Sequence, residues 1–380
     1  MAADGADTRF GSWVQGQLDA TRDAGQWRTL RTFDAFGPVG RLEGQRVVSF
    51  ASNDYLGLSS HPQLIAAAHE ALDRWGTGAT ASRLVVGSRP IHDELEQRVA
   101  AWKKTERALV FPSGFSANLG VLSALGGPDC HVVSDELNHA SIIDGCRLSR
   151  ARVSINRHND AEHVETLLRD AGPMRSMVVA DAVFSMDGDV APVNDLADIC
   201  ARHGALLVLD EAHSVLGPDI DELAALPGLE LLRVATLSKG LGALGAAVCG
   251  SNAIIDLLIN RARSFIFTTG LTPADTAAAS AAVEIMTSQV GQQLTDRLRT
   301  LANRMIVGHP SPILPLIIGA EADAIDAAKA LLDRGLLVPA IRPPTVAPGT
   351  SRLRVALSAA HTDDQIALLV ETLDELQLRP

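Results

Sequence analysis

The hydrophobic pattern of this chain is sharpest between residues 205 and 250. Two apolar runs, 206–209 and 231–235, stop abruptly in polar residues. The first ends at Asp210 and His213, the second at Thr236, Ser238 and Lys239. Continuous apolar runs bounded by turn residues predict strands buried on both faces of a parallel sheet, and the carboxyl ends of such strands face a binding crevice. The same reading places strands at RALVF, CHVV and SMVVAD, each followed by a polar loop and an amphipathic helix. Strand–helix alternation from 107 to 250 therefore predicts an α/β fold on a large, mostly parallel sheet with right-handed crossovers.

Outside that block the pattern changes. Residues 1–45 read as an N-terminal helical arm ending in a connector, FDAFGPVG, with Arg28 and Arg31 either meeting an acidic substrate or simply solvated. Residues 46–286 read as the large α/β domain. It opens with a strand entering a turn at Asn53 and Asp54, and closes with SFIF as a short strand, a polar turn at Thr268 and Thr269, and a long helix. Residues 287–380 read as a smaller α+β domain of strands and helices whose last helix is capped by Thr362. A crevice between two such domains is a favoured ligand position. The strand SRLRV alternates Arg352 and Arg354 with apolar residues, and only one face of it can aim into that crevice.

Composition narrows the classes. The hydrophobic fraction is 47% against 21% charged, enough for a large packed core, and the net charge of −12 argues against a nucleic-acid partner. Four scattered cysteines, Cys130, Cys146, Cys200 and Cys249, lack paired spacing and read as reduced thiols. No apolar run reaches the ~20 residues of a membrane span, and the first ten residues carry no basic-then-apolar signal. The expectation is a cytoplasmic protein without membrane or metal partners.

Among four lysines, Lys239 stands apart. Lys103 and Lys104 lie in AWKKTER and Lys329 in AIDAAKALLDRG, both reading as solvated helix faces, whereas Lys239 follows a strand and precedes glycines. An amine walled by apolar strands loses proton affinity because desolvation disfavours its charged form. The neutral amine is a nucleophile able to form a Schiff base. A solvated lysine at a strand end is the alternative for the same residue. Asp210-Glu211-Ala212-His213 spells a helicase box, but no phosphate loop accompanies it. The glycines 240, 242 and 245 match G-x-G-x-x-G but run into another strand, not a helix. Asp210 and His213 lack the further ligands a zinc site needs. Ser113, Gly114 and Phe115 sit where a loop becomes a helix, reading equally as an anion site or an ordinary N-cap at Ser113. His139 follows Asn138 in a polar turn and reads by itself as a capping residue.

Taken jointly, NDYLGL, FPSGFSANLG, LNHASIIDG, VFSMDGDVAP, LDEAHSVLG, TLSKGLGALG, FIFTTGL and IRPPTVAPGTSRLRVALSAAHT resemble the α-oxoamine synthases. These are pyridoxal-phosphate enzymes of the aspartate-aminotransferase fold (fold type I). The resemblance runs from about Asn53 to His361. It implies that Lys239 carries the cofactor, that Asp210 faces the pyridine nitrogen, that His213 bonds the ring oxygen and that His139 stacks on the ring. It implies a phosphate and ring pocket from Gly114, Phe115, Ser185 and Thr236, with Thr268 and Thr269 donated across a homodimer interface. It also implies substrate-carboxylate contacts from Asn53 and Arg354, which selects Arg354 over Arg352. A carboxylate at the pyridine nitrogen keeps the ring an electron sink, an arginine fork suits a carboxylate, and a freed lysine can act as a base.

The tail resembles most closely the branch that condenses L-alanine with a pimeloyl thioester, on CoA or an acyl carrier protein, in biotin synthesis. Sister members using glycine or serine, and a non-catalytic partner-binding subunit, are the alternatives. Retention of Lys239, Asp210 and His213 argues against the last. The chain departs from the family pattern at Asp181, where Glu is usual, at Gly245-Ala246 in place of a glycine pair, and at the single Gly217 before PDIDEL.

Overall fold

FDAFGPVG, expected as a connector, forms a hairpin. In the computed structural model, which describes residues 8–378, a helix over Arg9–Asp23 is followed by β1 (Phe33–Phe36) and β2 (Val39–Leu42), which pair antiparallel around Gly37 and Pro38. β3 (Gln45–Ser49) extends the meander. β3 is the strand expected before the turn at Asn53, whereas β1 and β2 were hidden because two strands of four residues each carry too little periodicity to stand out.

The large sheet contains β4 (Arg107–Phe111), β5 (Cys130–Asp135), β6 (Arg152–Asn156), β7 (Arg175–Asp181), β8 (Leu206–Asp210), β9 (Glu230–Thr236) and β10 (Ala246–Gly250). Their order is β4-β10-β9-β8-β7-β5-β6, with β10 antiparallel to both neighbours and the remaining pairs parallel. The apolar runs are continuous because both faces are covered. Val208 packs with the helices Gly114–Leu125 and Asn252–Arg261, while Leu207 and Leu209 pack with the helices Ala161–Ala171 and Val193–His203.

SFIF is helical, not a strand: Arg263–Ile266 form one turn after the helix ending at Arg261. Phe265 is buried edge-on against Phe111 at 5.6 Å, and the Ser264 hydroxyl donates to the Ser116 carbonyl at 2.6 Å. Both contacts lie against the Gly114–Leu125 region, which a strand's alternation would have split between two faces.

Toward the end of the chain, β11 (Ile313–Gly319), β13 (Ala340–Ile341) and β14 (Ser351–Ala356) form a three-stranded antiparallel sheet, while β12 (Leu336–Leu337) pairs in parallel with β3. This sheet meets the large one through the turn after β7. There Gly188, at φ +70°, lies so close to β11 that a Cβ would fall 2.1 Å from the Ile313 carbonyl.

Lys103 also departs from expectation. It is buried, with Nζ 2.6 Å from Glu211 Oε2 and 4.0 Å above the Trp102 ring. Glu211 is in turn gripped by both Arg233 Nε and Arg233 Nη2, and Arg233 Nη1 donates to the Lys103 carbonyl at 2.7 Å and to Asp221 at 2.9 Å. A polar-looking KK pair therefore closes a buried ion network beneath the end of β8, and only Lys104 is solvated.

Among the described residues, no helix is long and apolar enough to cross a membrane, and no cluster of three or more His, Cys, Asp or Glu is disposed to hold a metal ion. All four cysteines are free and buried.

Candidate active site

The carboxyl ends of β7, β8 and β9 deliver Asp181, Asp210 and Thr236 to one edge of the sheet, with Asp181 and Asp210 directly paired in register. The Asp210 carboxylate accepts from Asn118 Nδ2 at 2.7 Å and from the Ala212 amide at 2.9 Å, so both oxygens are held. Asn118 also donates to Ser141, tying the carboxylate to the helix Ala140–Ser149. Beside it, Asp181 accepts from the His139 amide at 2.7 Å. Burial first, and the Asp210 charge second, push the Asp181 carboxyl well above the usual range.

Three residues past β8, His213 is buried between two partners. Its Nδ1 lies 2.6 Å from the Tyr55 hydroxyl and its Nε2 lies 2.9 Å from Lys239 Nζ. Burial, reinforced by the Lys239 charge, holds this imidazole well below its usual range, so it is neutral at pH 7. Burial also lowers the Lys239 amine, while Asp210 and Asp181 oppose that shift. Lys239 thus sits beside a fixed carboxylate and a neutral imidazole with its proton affinity reduced.

Around this cluster, Ser113 is a true N-cap, its hydroxyl accepting from the Ser116 amide at 3.1 Å. Gly114 brings the helix start against Thr236, where a Cβ would come 2.8 Å from Thr236 Cγ2. Among the described residues the Gly114 and Phe115 amides carry no bond to the chain, so the cap and an anion cradle coexist. His139 caps the next helix, its Nδ1 accepting from the Ser141 amide at 3.2 Å, with its ring open to solvent on one side. Partial burial first, and the Lys239 charge second, lower its imidazole, with Asp210 pulling the other way.

Arg352 and Arg354 lie two apart on β14 and share a face. Arg354 Nε donates to the Ser185 carbonyl, and its Nη2 reaches Asn53 Oδ1 at 3.2 Å and the Tyr55 oxygen at 3.4 Å. Arg352 is consumed by Asp187. Lys239, His213, Asp210, Asn53 and Arg354 therefore form one connected group with Ser185, Thr236 and Gly114 at its margin. Thr268 and Thr269 lie in the turn beyond the Arg263–Ile266 helix, and no bond joins them to this group within one chain. Arg28 is exposed and lines a separate cavity of about 700 Å³ with Trp27, Arg31, Lys329 and Arg342, which none of the lysine cluster lines. Sequence reasoning missed Tyr55 and Asn118. Tyr55 is the only tyrosine in the chain and stands two residues after Asn53, a signal that was available. Asn118 is one helical turn beyond Gly114 on the same helix.

The turn bearing Ser185 is fixed at its far end by His158, whose Nδ1 lies 2.9 Å from Asp135 and whose Nε2 lies 2.7 Å from Asp189. Burial works against the charged imidazole, but the two carboxylates outweigh it and push its pKa up to about 10. A pKa raised on folding stabilises the fold fully below the unfolded value near 6.5, and this contribution fades as pH rises towards about 10. Urea unfolding of wild type and His158→Gln should differ at pH 6 and converge by pH 10. A gap that stays constant over that window would contradict the ion-pair account.

Over residues 45–373 the chain matches the family described as aminotransferase class I and II. The chain belongs to that family. It is 48% identical to an 8-amino-7-oxononanoate synthase of Anaeromyxobacter dehalogenans over 370 residues, covering 93% of this chain and 92% of the relative. It is 44% identical to one from Mycobacterium sp. over 365 residues, covering 93% and 94%. Among solved structures, a serine palmitoyltransferase of S. paucimobilis with bound PLP superposes at TM-score 0.88 and 28% identity over 96% of each chain. An 8-amino-7-oxononanoate synthase of Francisella tularensis superposes at TM-score 0.71 and 27% identity, covering 87% of this chain and 98% of that one. For a member of the aminotransferase class I and II family, the donor set suits a phosphorylated pyridine aldehyde. It offers one amine of lowered basicity, a carboxylate held by two donors, and free helix amides kept open by a glycine.

Proposed function

We propose that this chain is an 8-amino-7-oxononanoate synthase. It is a pyridoxal-phosphate-dependent acyltransferase that condenses L-alanine with a pimeloyl thioester and releases CO2 and the free thiol carrier, in biotin biosynthesis. The observation that carries this reading is the part-buried Lys239–His213 contact beside Asp210, in a chain 44–48% identical to proteins of that name over more than nine-tenths of its length.

When bound, pyridoxal phosphate supplies an aldehyde for an amine and a protonated ring that draws electron density from the amino acid's α-carbon. The chain's own groups divide the remaining work. Asp210, fixed by Asn118 and Ala212, holds the proton on the ring nitrogen. His213 would hold the ring oxygen and His139 would cover the ring. The Gly114 and Phe115 amides, with Ser185 and Thr236, hold the phosphate and ring edge, and Thr268 and Thr269 of the partner subunit complete the cradle. Arg354 and Asn53 grip the amino-acid carboxylate, while Lys239 removes the α-proton and later returns one. Arg28, in its separate cavity, contacts the acidic acyl substrate.

A homodimer fits this assignment. Leu84, Val85, Val86 and Phe267 expose 52%, 73%, 63% and 70% of their surfaces in one chain, large apolar side chains of the kind a partner would cover. Four reduced thiols suit the cytoplasm.

The test is thiol release from pimeloyl-CoA by the purified, cofactor-loaded protein, with and without L-alanine. Release should require the amino acid and be slower with glycine or serine. A preference for glycine or serine would assign the chain to a sister synthase, and release without any amino acid would overturn the reading.

A further inference from the structure

His139 opens the helix Ala140–Ser149, and its Nδ1 has two neighbours that belong to one residue: the Ser141 amide at 3.2 Å and the Ser141 hydroxyl at 2.7 Å. A backbone amide can only donate, so Nδ1 accepts and carries no hydrogen. The hydroxyl gives the same answer independently. The Asp210 carboxylate only accepts, which turns Asn118 Nδ2 toward it at 2.7 Å and leaves the second hydrogen of that nitrogen for Ser141 Oγ at 2.9 Å. Ser141 Oγ therefore accepts from Asn118, and its own proton needs another outlet. Ser141 is buried, and among the described residues His139 Nδ1 is the only acceptor bonded to its hydroxyl. A hydrogen on Nδ1 would strand that buried proton and oppose the amide as well. The neutral ring thus carries its hydrogen on Nε2, which has no partner among the described residues.

We propose that Ser141 is the positioning residue that commits His139 to one hydrogen pattern, Nδ1 bare and Nε2–H, so that this imidazole meets the substrate as a donor and is withheld from acting as a second base beside Lys239. Two features enforce the commitment. A proton added to the ring must go to Nδ1, where it displaces both Ser141 donors. The hydroxyl has no second acceptor to turn to, and its oxygen is held by Asn118, whose other hydrogen is held by Asp210. The carboxylate assigned to the ring nitrogen and the imidazole assigned to the ring face are thus one hydrogen-bonded unit, running Asp210, Asn118, Ser141, His139. Partial burial first, and the Lys239 charge second, act in the same direction by lowering the imidazole, against Asp210. The remaining titratable groups beside His139 are His213, and Asp181, which accepts from its amide at 2.7 Å. The hydrogen pattern stands on this geometry alone. Its use on a substrate deepens the proposed function and rests on the placement of His139 given there.

Two measurements test this. Ring-15N-histidine spectra of the cofactor-free protein at pH 8, with His139→Gln to assign the signal, should show a bare Nδ1 and an Nε2–H. In Ser141→Ala, the midpoint at which this ring takes up a second proton should lie about one pH unit above that of wild type, a tenfold rise in proton affinity, because Nδ1 has lost one of its two donors. Nδ1–H in the wild-type spectrum would overturn the assignment even if the variant did not fold, and an unmoved midpoint in a folded variant would overturn the role of Ser141. In the cofactor-loaded enzyme, the acidic limb of kcat/KM for L-alanine should move upward by about the same pH unit in Ser141→Ala. A merely structural hydroxyl would lower activity evenly at every pH and leave both midpoint and limb in place. A midpoint that moves while the limb stays would remove His139 from the substrate, refuting that part of the proposed function and leaving the Ser141 assignment standing.

Discussion

Lys239→Ala should lose turnover by about 10⁴-fold or more, because one substitution removes both the proposed attachment point for the cofactor and the proposed proton carrier. No second amine is bonded within the Asp210–His213 group, so none can replace it. The variant should still fold, since Lys239 is half-buried in a turn and makes no ion pair among the described residues. It should also retain some affinity for the coenzyme through the Gly114–Phe115 amides, but show no lysine-bound visible band. Stopped assays and an absorbance scan of the same sample check both points. Turnover within tenfold of wild type would remove Lys239 from the chemistry.

The largest expected loss of stability lies elsewhere, at Arg233. Its side chain is 3% exposed, as is that of Glu211, and it bonds Glu211, Asp221 and the Lys103 carbonyl. Removing one partner of a buried pair leaves an uncompensated charge, so Arg233→Ala should cost about 3–5 kcal/mol in urea unfolding at pH 7. Lys103 still faces Glu211 at 2.6 Å and offsets part of the charge, which sets the lower end of that range. Glu211 follows Asp210 directly, so cofactor affinity should fall alongside stability. A loss below about 1 kcal/mol would mean that water reaches the network.

The buried ion network shows where the sequence was opaque. The strands β8 and β9 were legible because a run covered on both faces leaves an unbroken apolar signature, and the residues ending those runs are the ones the structure gathers. AWKKTER was misread because a lysine's burial is decided by its partner, and Glu211 lies 108 residues away in the chain. SFIF failed for a related reason: a buried Phe265 and an exposed Phe267 two residues apart flank an apolar Ile266 and look locally like a short strand. Asp210, His213 and Lys239 sit within thirty residues and could be grouped by eye, whereas Asn118 reaches Asp210 across 92 residues.

The carboxylate grip proposed for Asn53 and Arg354 would be assembled from opposite ends of the polypeptide. Asn53 and Arg354 are 301 residues apart, and β3 is completed only when β12 arrives beside it. Closing so long a loop adds entropy only slowly with length but delays the contact in time. On the ribosome, the coenzyme-facing edge of β8 and β9 can therefore take shape while the amino-acid grip is still missing. A nascent chain stalled before residue 351 would hold a reactive amine with nothing to select what it meets. On the proposed assignment of Asn53 and Arg354, amino-acid selectivity is the last property the chain acquires.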